Sequence, residues 1–285
     1  MKLFACALLA AFGICGQVYA QEPAPSPPLP QEATTTTTAA LPECVILLHG
    51  LARTSKSMEP LEEQLRALQY VVVNMDYPSR EFPIATLTEK AIPPALAQCR
   101  QYPISGISFV THSLGGILLR LYLSTQTIPE LKHVVMLAPP NKGSEVADNL
   151  KNLPPYDWVN GPVGDELGTE PTSLPNTLGP VNFDLGVIAG TTSINLILSL
   201  YLPNPDDGKV SVESTKIEGM HDFITLPVSH PFIMKDKDAI QQIIHYLQQG
   251  EFLHTPDTTE PSPKPSPKPS TSGAEEQGFL DVQND

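Results

Sequence analysis

Positive charge is scarce in this chain: 17 Lys and Arg stand against 31 Asp and Glu, giving a formal charge of −14 over 285 residues. Proteins that hold nucleic acid neutralise phosphates with clustered Lys and Arg, so the balance argues against nucleic acid as a partner. Solubility alone accounts for the acidity. Cysteine is nearly absent too. Of four, Cys6 and Cys15 fall in the leading segment, which leaves Cys44 and Cys99. Two cysteines without companion ligands at suitable spacing exclude a structural metal site. In an oxidising compartment an isolated pair is a disulfide candidate. Long apolar runs are missing as well. Leu3 to Cys15 is too short to span a bilayer, and no later stretch is long and apolar enough, so no transmembrane segment is expected in the mature chain.

Proline, by contrast, is abundant, with 31 residues, and it is densest in the segments toward the two ends. The first 20 residues read as a signal peptide: Lys2 gives a positive start, an apolar run follows, and Val18-Tyr19-Ala20 supplies a small-x-small cleavage site. The mature protein is therefore expected to be secreted or periplasmic. Residues 21–40 are Pro- and Thr-rich, with an unbroken run from Thr34 to Thr38. Residues 255–285 repeat Pro-Ser-Pro-Lys-Pro-Ser and end in polar residues. Neither segment can bury enough apolar surface to offset the cost of ordering, so both are read as disordered. The tail is either a stiff tether or a contact with the cell envelope. Between them, residues 41–254 have the length of one domain with a sizeable core.

Inside that domain, short apolar runs alternate with helical patterns. Strands are predicted at Val45–Leu48, Val71–Val73, Ile107–Val110, Val134–Leu137, Leu185–Ala189 and Phe223–Leu226. Helices are predicted from Pro60 to Leu68, Ala85 to Cys99, Gly115 to Ser124 and Lys237 to Gln248. Pro93-Pro94 should break or kink the second of these, while Ile240, Ile243, Ile244 and Leu247 give the last one a single apolar face. Such alternation implies a mostly parallel sheet with helices on both faces and a ligand site beyond the carboxyl ends of the strands. Residues 142–181 interrupt the rhythm. They are rich in Pro and Gly, contain Trp158, and leave the carboxyl end of a strand, so they are expected to form a lid.

The densest information lies in Thr111-His112-Ser113-Leu114-Gly115-Gly116, between the third strand and its helix. A serine at a sharp strand-to-helix bend presents its hydroxyl beyond the sheet edge. The stretch resembles the nucleophile elbow of the α/β-hydrolases, G-x-S-x-G, with Thr111 in place of the first glycine and Gly115 as the second. His49-Gly50-Leu51, directly after the first strand, is similar to the oxyanion loop of bacterial lipases. That resemblance implies that Leu51 and Leu114 donate the backbone N–H groups of an oxyanion hole, with His49 shaping the loop. Arg53 and Thr54 come next, at the entrance, with no assigned role. Asp206-Asp207-Gly208-Lys209-Val210 resembles the Asp-Gly-x-Val segment that carries the lipase acid. Asp207, next to the glycine, is preferred over Asp206. His230 follows the last strand and precedes the last helix, as the base does in that fold. His221 falls at the amino end of its strand, and His112 is expected to point the wrong way along the chain.

Ser113, Asp207 and His230 also occur in the α/β-hydrolase chain order. Leu137 to Asp148, with Pro139-Pro140 and Gly143-Ser144, is similar to the lipase segment that enters the lid. In that fold the strands led by Cys44 and Cys99 are neighbours, and both cysteines fall at the same end of the sheet. The resemblance implies a lipase-like serine esterase that takes a small-molecule or lipid ester and needs no cofactor and no metal. Two alternatives stay open: an acyltransferase or amidase acting on envelope lipids, and an inactive binding or scaffold protein on the same fold.

Overall fold

A computed structural model describes residues 40–150, 161–194, 199–200 and 202–254. The expected leader, the Pro/Thr segment up to residue 39, Trp158 and the tail from residue 255 lie outside the described residues.

Six strands form one sheet: β1 (Cys44–Leu48), β2 (Val71–Met75), β3 (Ile107–His112), β4 (Leu131–Leu137), β5 (Leu185–Gly190) and β6 (Asp222–Leu226). All neighbours run parallel, in the order β2-β1-β3-β4-β5-β6. The short β-branched and aliphatic runs give strands buried on both sides, as a parallel sheet under two helix layers requires. Every residue of β1, β3 and β5 is buried.

The pleat divides the core in two. Cys44, Ile46 and Leu48 face the layer made by α2 (Ile84–Cys99) and α3 (Leu114–Thr125). Val45 and Leu47 face the layer of α1 (Glu59–Ala67), with Leu61 and Leu65, and the C-terminal helix Lys237–Gln249, with Ile240, Ile243 and Leu247. That last helix has a built start and stop. The Asp236 carboxylate accepts from the amides of Asp238 and Ala239, and Gly250 closes the far end at φ 80°.

Helix α2 runs through Pro93 and Pro94 without the expected break. The carbonyls that these prolines leave without an i+4 donor belong to Glu89 and Lys90, which are exposed, so water can satisfy them. The buried face, Leu87, Ala91, Ile92, Ala95 and Cys99, is undisturbed. Cys99 at the end of α2 forms a disulfide with Cys44 at the start of β1.

From β1 the chain crosses outward to β2, then returns to β3 and proceeds in the opposite direction across the sheet. The reversal opens a crevice at the carboxyl ends of β1 and β3, the usual ligand position in open parallel sheets. In the 142–181 stretch the described elements are α4 (Glu145–Leu150), α5 (Pro162–Glu166) and α6 (Leu174–Thr177). The first residue of α2 meets α5, where the Ile84 amide donates to the Glu166 carboxylate at 3.3 Å. Arg120 of α3, buried without a carboxylate partner among the described residues, donates to the carbonyls of Asn141, Pro175 and Gly179. Burial lowers its guanidinium pKa to about 10.

Candidate active site

The three chemistry-bearing side chains predicted from sequence arrive at one point from three strand ends. Ser113 terminates β3 and caps α3 with φ 51° and ψ −116°, a left-handed backbone that a non-glycine residue adopts only under constraint. Part of the constraint is its amide, which donates to the Leu137 carbonyl at 2.9 Å. The bend forces α3 against the sheet, and two glycines make the approach possible. A Cβ on Gly115 would lie 2.7 Å from the Leu48 carbonyl oxygen. One on Gly116 would lie 3.3 Å from the Thr111 hydroxyl oxygen. Thr111 therefore fits where the elbow pattern has glycine because position 116 carries no side chain opposite it.

Asp207 sits in the Asp-Gly turn beyond β5. Its Oδ1 accepts from the amides of Lys209 (2.9 Å) and Val210 (2.8 Å). The other oxygen, Oδ2, accepts from His230 Nδ1 at 2.7 Å. A carboxylate can only accept here, so Nδ1 carries the proton and Nε2 is left as an acceptor, 3.1 Å from Ser113 Oγ. The His230 amide also donates to the Asp207 carbonyl at 3.0 Å, clamping the two loops together. Asp206 is turned elsewhere: its Oδ1 accepts from the Ser199 hydroxyl and the Gly208 amide, both at 2.7 Å.

His49 is buried and stacked on Tyr77, with ring centroids 4.0 Å apart. It donates from Nδ1 to the Gly50 carbonyl and accepts the Tyr77 amide on Nε2. Burial holds its pKa below the ordinary histidine value. It shapes the loop that carries Leu51. The backbone N–H groups of Leu51 and Leu114 have no acceptor among the described residues.

His112 departs from expectation. Its ring packs on that of His230, centroids 4.8 Å apart, and Nε2–H donates to the His230 carbonyl at 3.1 Å. Burial first, then the charges of His230, Arg53 and Lys209, push its pKa well down, so it is neutral. A strand alternates its side chains, and that alternation alone did not reveal that the His230 loop folds back over this position.

Ser113 opens into a cavity of about 180 Å³ lined by Leu51, Arg53, His112, Ile194, Asp207, Gly208, Lys209, His230 and Pro231. No described residue of the 142–181 stretch lines it. Among the described residues no group of three or more His, Cys, Asp or Glu could hold a metal ion, and no helix is long and apolar enough to cross a membrane.

The fold has solved counterparts. A Bacillus licheniformis lipase, BlEst2 in its mature form, superposes with a TM-score of 0.56 at 16% identity, covering 75% of this chain and 93% of that one. The fold is that of the α/β-hydrolases. A metagenome-derived lipolytic enzyme from a study of LipS and LipT gives 0.53 at 14% identity over 73% and 95% of the two chains. The Pyrococcus furiosus esterase PF2001 gives 0.50 at 17% identity over 72% and 81%. No family model and no curated protein matches the sequence. At such identities the likeness belongs to the α/β-hydrolase fold and not to any one substrate.

Proposed function

We propose that this α/β-hydrolase fold carries a serine hydrolase of carboxylic esters, with Ser113, His230 and Asp207 as nucleophile, base and orienting acid. The observation that carries the reading is the continuous hydrogen-bond path from Ser113 Oγ through His230 to Asp207. His230 Nε2 takes the hydroxyl proton as Ser113 Oγ attacks the ester carbonyl carbon. The negative charge that develops on the carbonyl oxygen is met by the free amides of Leu51 and Leu114. Collapse breaks the bond to the alcohol, which leaves with the proton from His230. Water, deprotonated by the same nitrogen, then attacks the acyl-serine and releases the acid. Asp207 holds the imidazole in the required tautomer and stabilises its cation.

The cavity favours small acyl groups. Its 180 Å³ is below the roughly 300–1,000 Å³ of sites that enclose drug-sized ligands. The remaining domain and export assignments belong to the same reading: a leader over 1–20, a catalytic unit over 41–254, a lid within 142–181 and a Pro-rich spacer beyond 255. A disulfide and the lack of a membrane-spanning helix among the described residues support export.

Hydrolysis of p-nitrophenyl esters from acetyl to palmitoyl tests this. The mature protein should turn over the short esters, and Ser113→Ala should lower kcat by at least about 10⁴-fold. Equal rates for the two proteins would overturn the assignment.

A further inference from the structure

We infer that the site is built for esters that carry a negative charge close to the scissile carbonyl, with Arg53 and Lys209 as the anchors for that charge. The inference rests on the ester-hydrolase reading and names its substrate class. In a chain of net charge −14, the small cavity above Ser113 has two cations in its wall. They come from opposite sides. Arg53 lies two residues after Leu51 on the loop beyond β1, held by a turn from its amide to the Gly50 carbonyl. Lys209 lies two residues after Asp207, in the turn whose amides grip that carboxylate.

Neither charge is answered by the protein. The Arg53 guanidinium and the Lys209 ammonium have no hydrogen-bond or ion-pair partner among the described residues. Arg66, Arg100, Lys132, Lys142 and Lys216 all pair with carboxylates. Among the described residues the only acid in the cavity wall is Asp207, and both of its oxygens are already engaged. Two like charges converging on one small cavity are unfavourable until an anion enters. Burial, reinforced by Arg53, lowers the Lys209 pKa, with Asp207 opposing. A bound carboxylate or phosphate would relieve both.

The position of the anion is bounded as well. Arg53 is shared with a neighbouring cavity of about 590 Å³, where Arg80 also stands and Asp76 and Glu81 offset the two cations. A negative group is favoured between Arg53 and Lys209, near the reacting carbonyl, and less so further out, where two acids offset two cations. The charge could belong to the acyl part or to the alcohol part of the ester.

Three chromogenic esters test this at low salt: p-nitrophenyl hexanoate, mono-p-nitrophenyl adipate with the carboxylate on the acyl side, and 3-carboxy-4-nitrophenyl hexanoate with it on the leaving group. Rates are referred to sites titrated with a fluorophosphonate, so that misfolded variant does not count. One of the two anionic esters should exceed the neutral one in kcat/KM by about tenfold or more, and 0.5 M salt should erode the preference. Arg53→Gln and Lys209→Gln should each lower the anionic-to-neutral ratio, and the double variant should bring it near one. Equal kcat/KM for all three esters in wild type, or a preference that survives in the double variant, overturns this inference and leaves the hydrolase reading standing. No turnover of any ester together with no fluorophosphonate labelling of Ser113 overturns both.

Discussion

His112 acts on the site without touching Ser113's proton. Its Nε2–H is the hydrogen bond that fixes the His230 carbonyl, and its ring is the surface on which the His230 ring rests. Phenylalanine would keep most of the packing and leave that buried carbonyl unpaired, which costs about 1–3 kcal/mol. The loop would relieve the cost by shifting, and a base displaced by about 1 Å loses on the order of 10²-fold in rate. His112→Phe should therefore lower kcat with little change in KM, whereas His112→Gln, whose amide nitrogen reaches as far as Nε2, should recover most of the rate. Steady-state kinetics on a short p-nitrophenyl ester separates the two. Equal losses in both variants would mean that ring packing, and not the hydrogen bond, positions His230.

The disulfide joins two elements at the end of the sheet away from the chemistry: the first residue of β1 and the last of α2, 55 residues apart. Closing a loop of that size restricts the unfolded chain by about 4 kcal/mol. Cys99→Ala should lower the urea midpoint correspondingly and leave kcat on short esters near the wild-type value, because Ser113, Leu51 and His230 stand at the opposite strand ends. Elements were the most legible level of the sequence. All six strands, the four longest helices and the serine bend follow from apolar runs of three to five residues, the helical patterns between them and the glycines at 115 and 116. Pro93-Pro94 does not break the helix, because the carbonyls freed at Glu89 and Lys90 can reach water. What sequence could not supply was contact across the sheet. His112 against His230, and Arg53 facing the same cavity as Lys209, join residues more than 100 positions apart. Only the packing of loops from different strands brings them together.

Taken whole, the domain holds two imidazoles in its interior in the neutral form, and this makes its stability depend on mild acid. His49 and His112 are both fully buried, and burial is the leading cause that lowers the pKa of each. In the unfolded chain each binds a proton near pH 6.5; in the folded chain neither does so until the pH is lower. Below about pH 6.5 the unfolded state thus binds more protons than the native one, so stability falls with falling pH, while above it this contribution is fully present. The slope is at most about 1.4 kcal/mol per pH unit for each imidazole. Against the opposing effect of burial, the Phe252 amide and His254 hold the Asp222 carboxyl below its ordinary value, so it acts at lower pH than the imidazoles. Urea unfolding between pH 5 and 8 should give a plateau above pH 7 and a decline below 6.5, with His112→Gln removing roughly half of the decline. A variant that keeps the full wild-type slope would place the proton uptake on other groups and leave His112 protonated in the native fold.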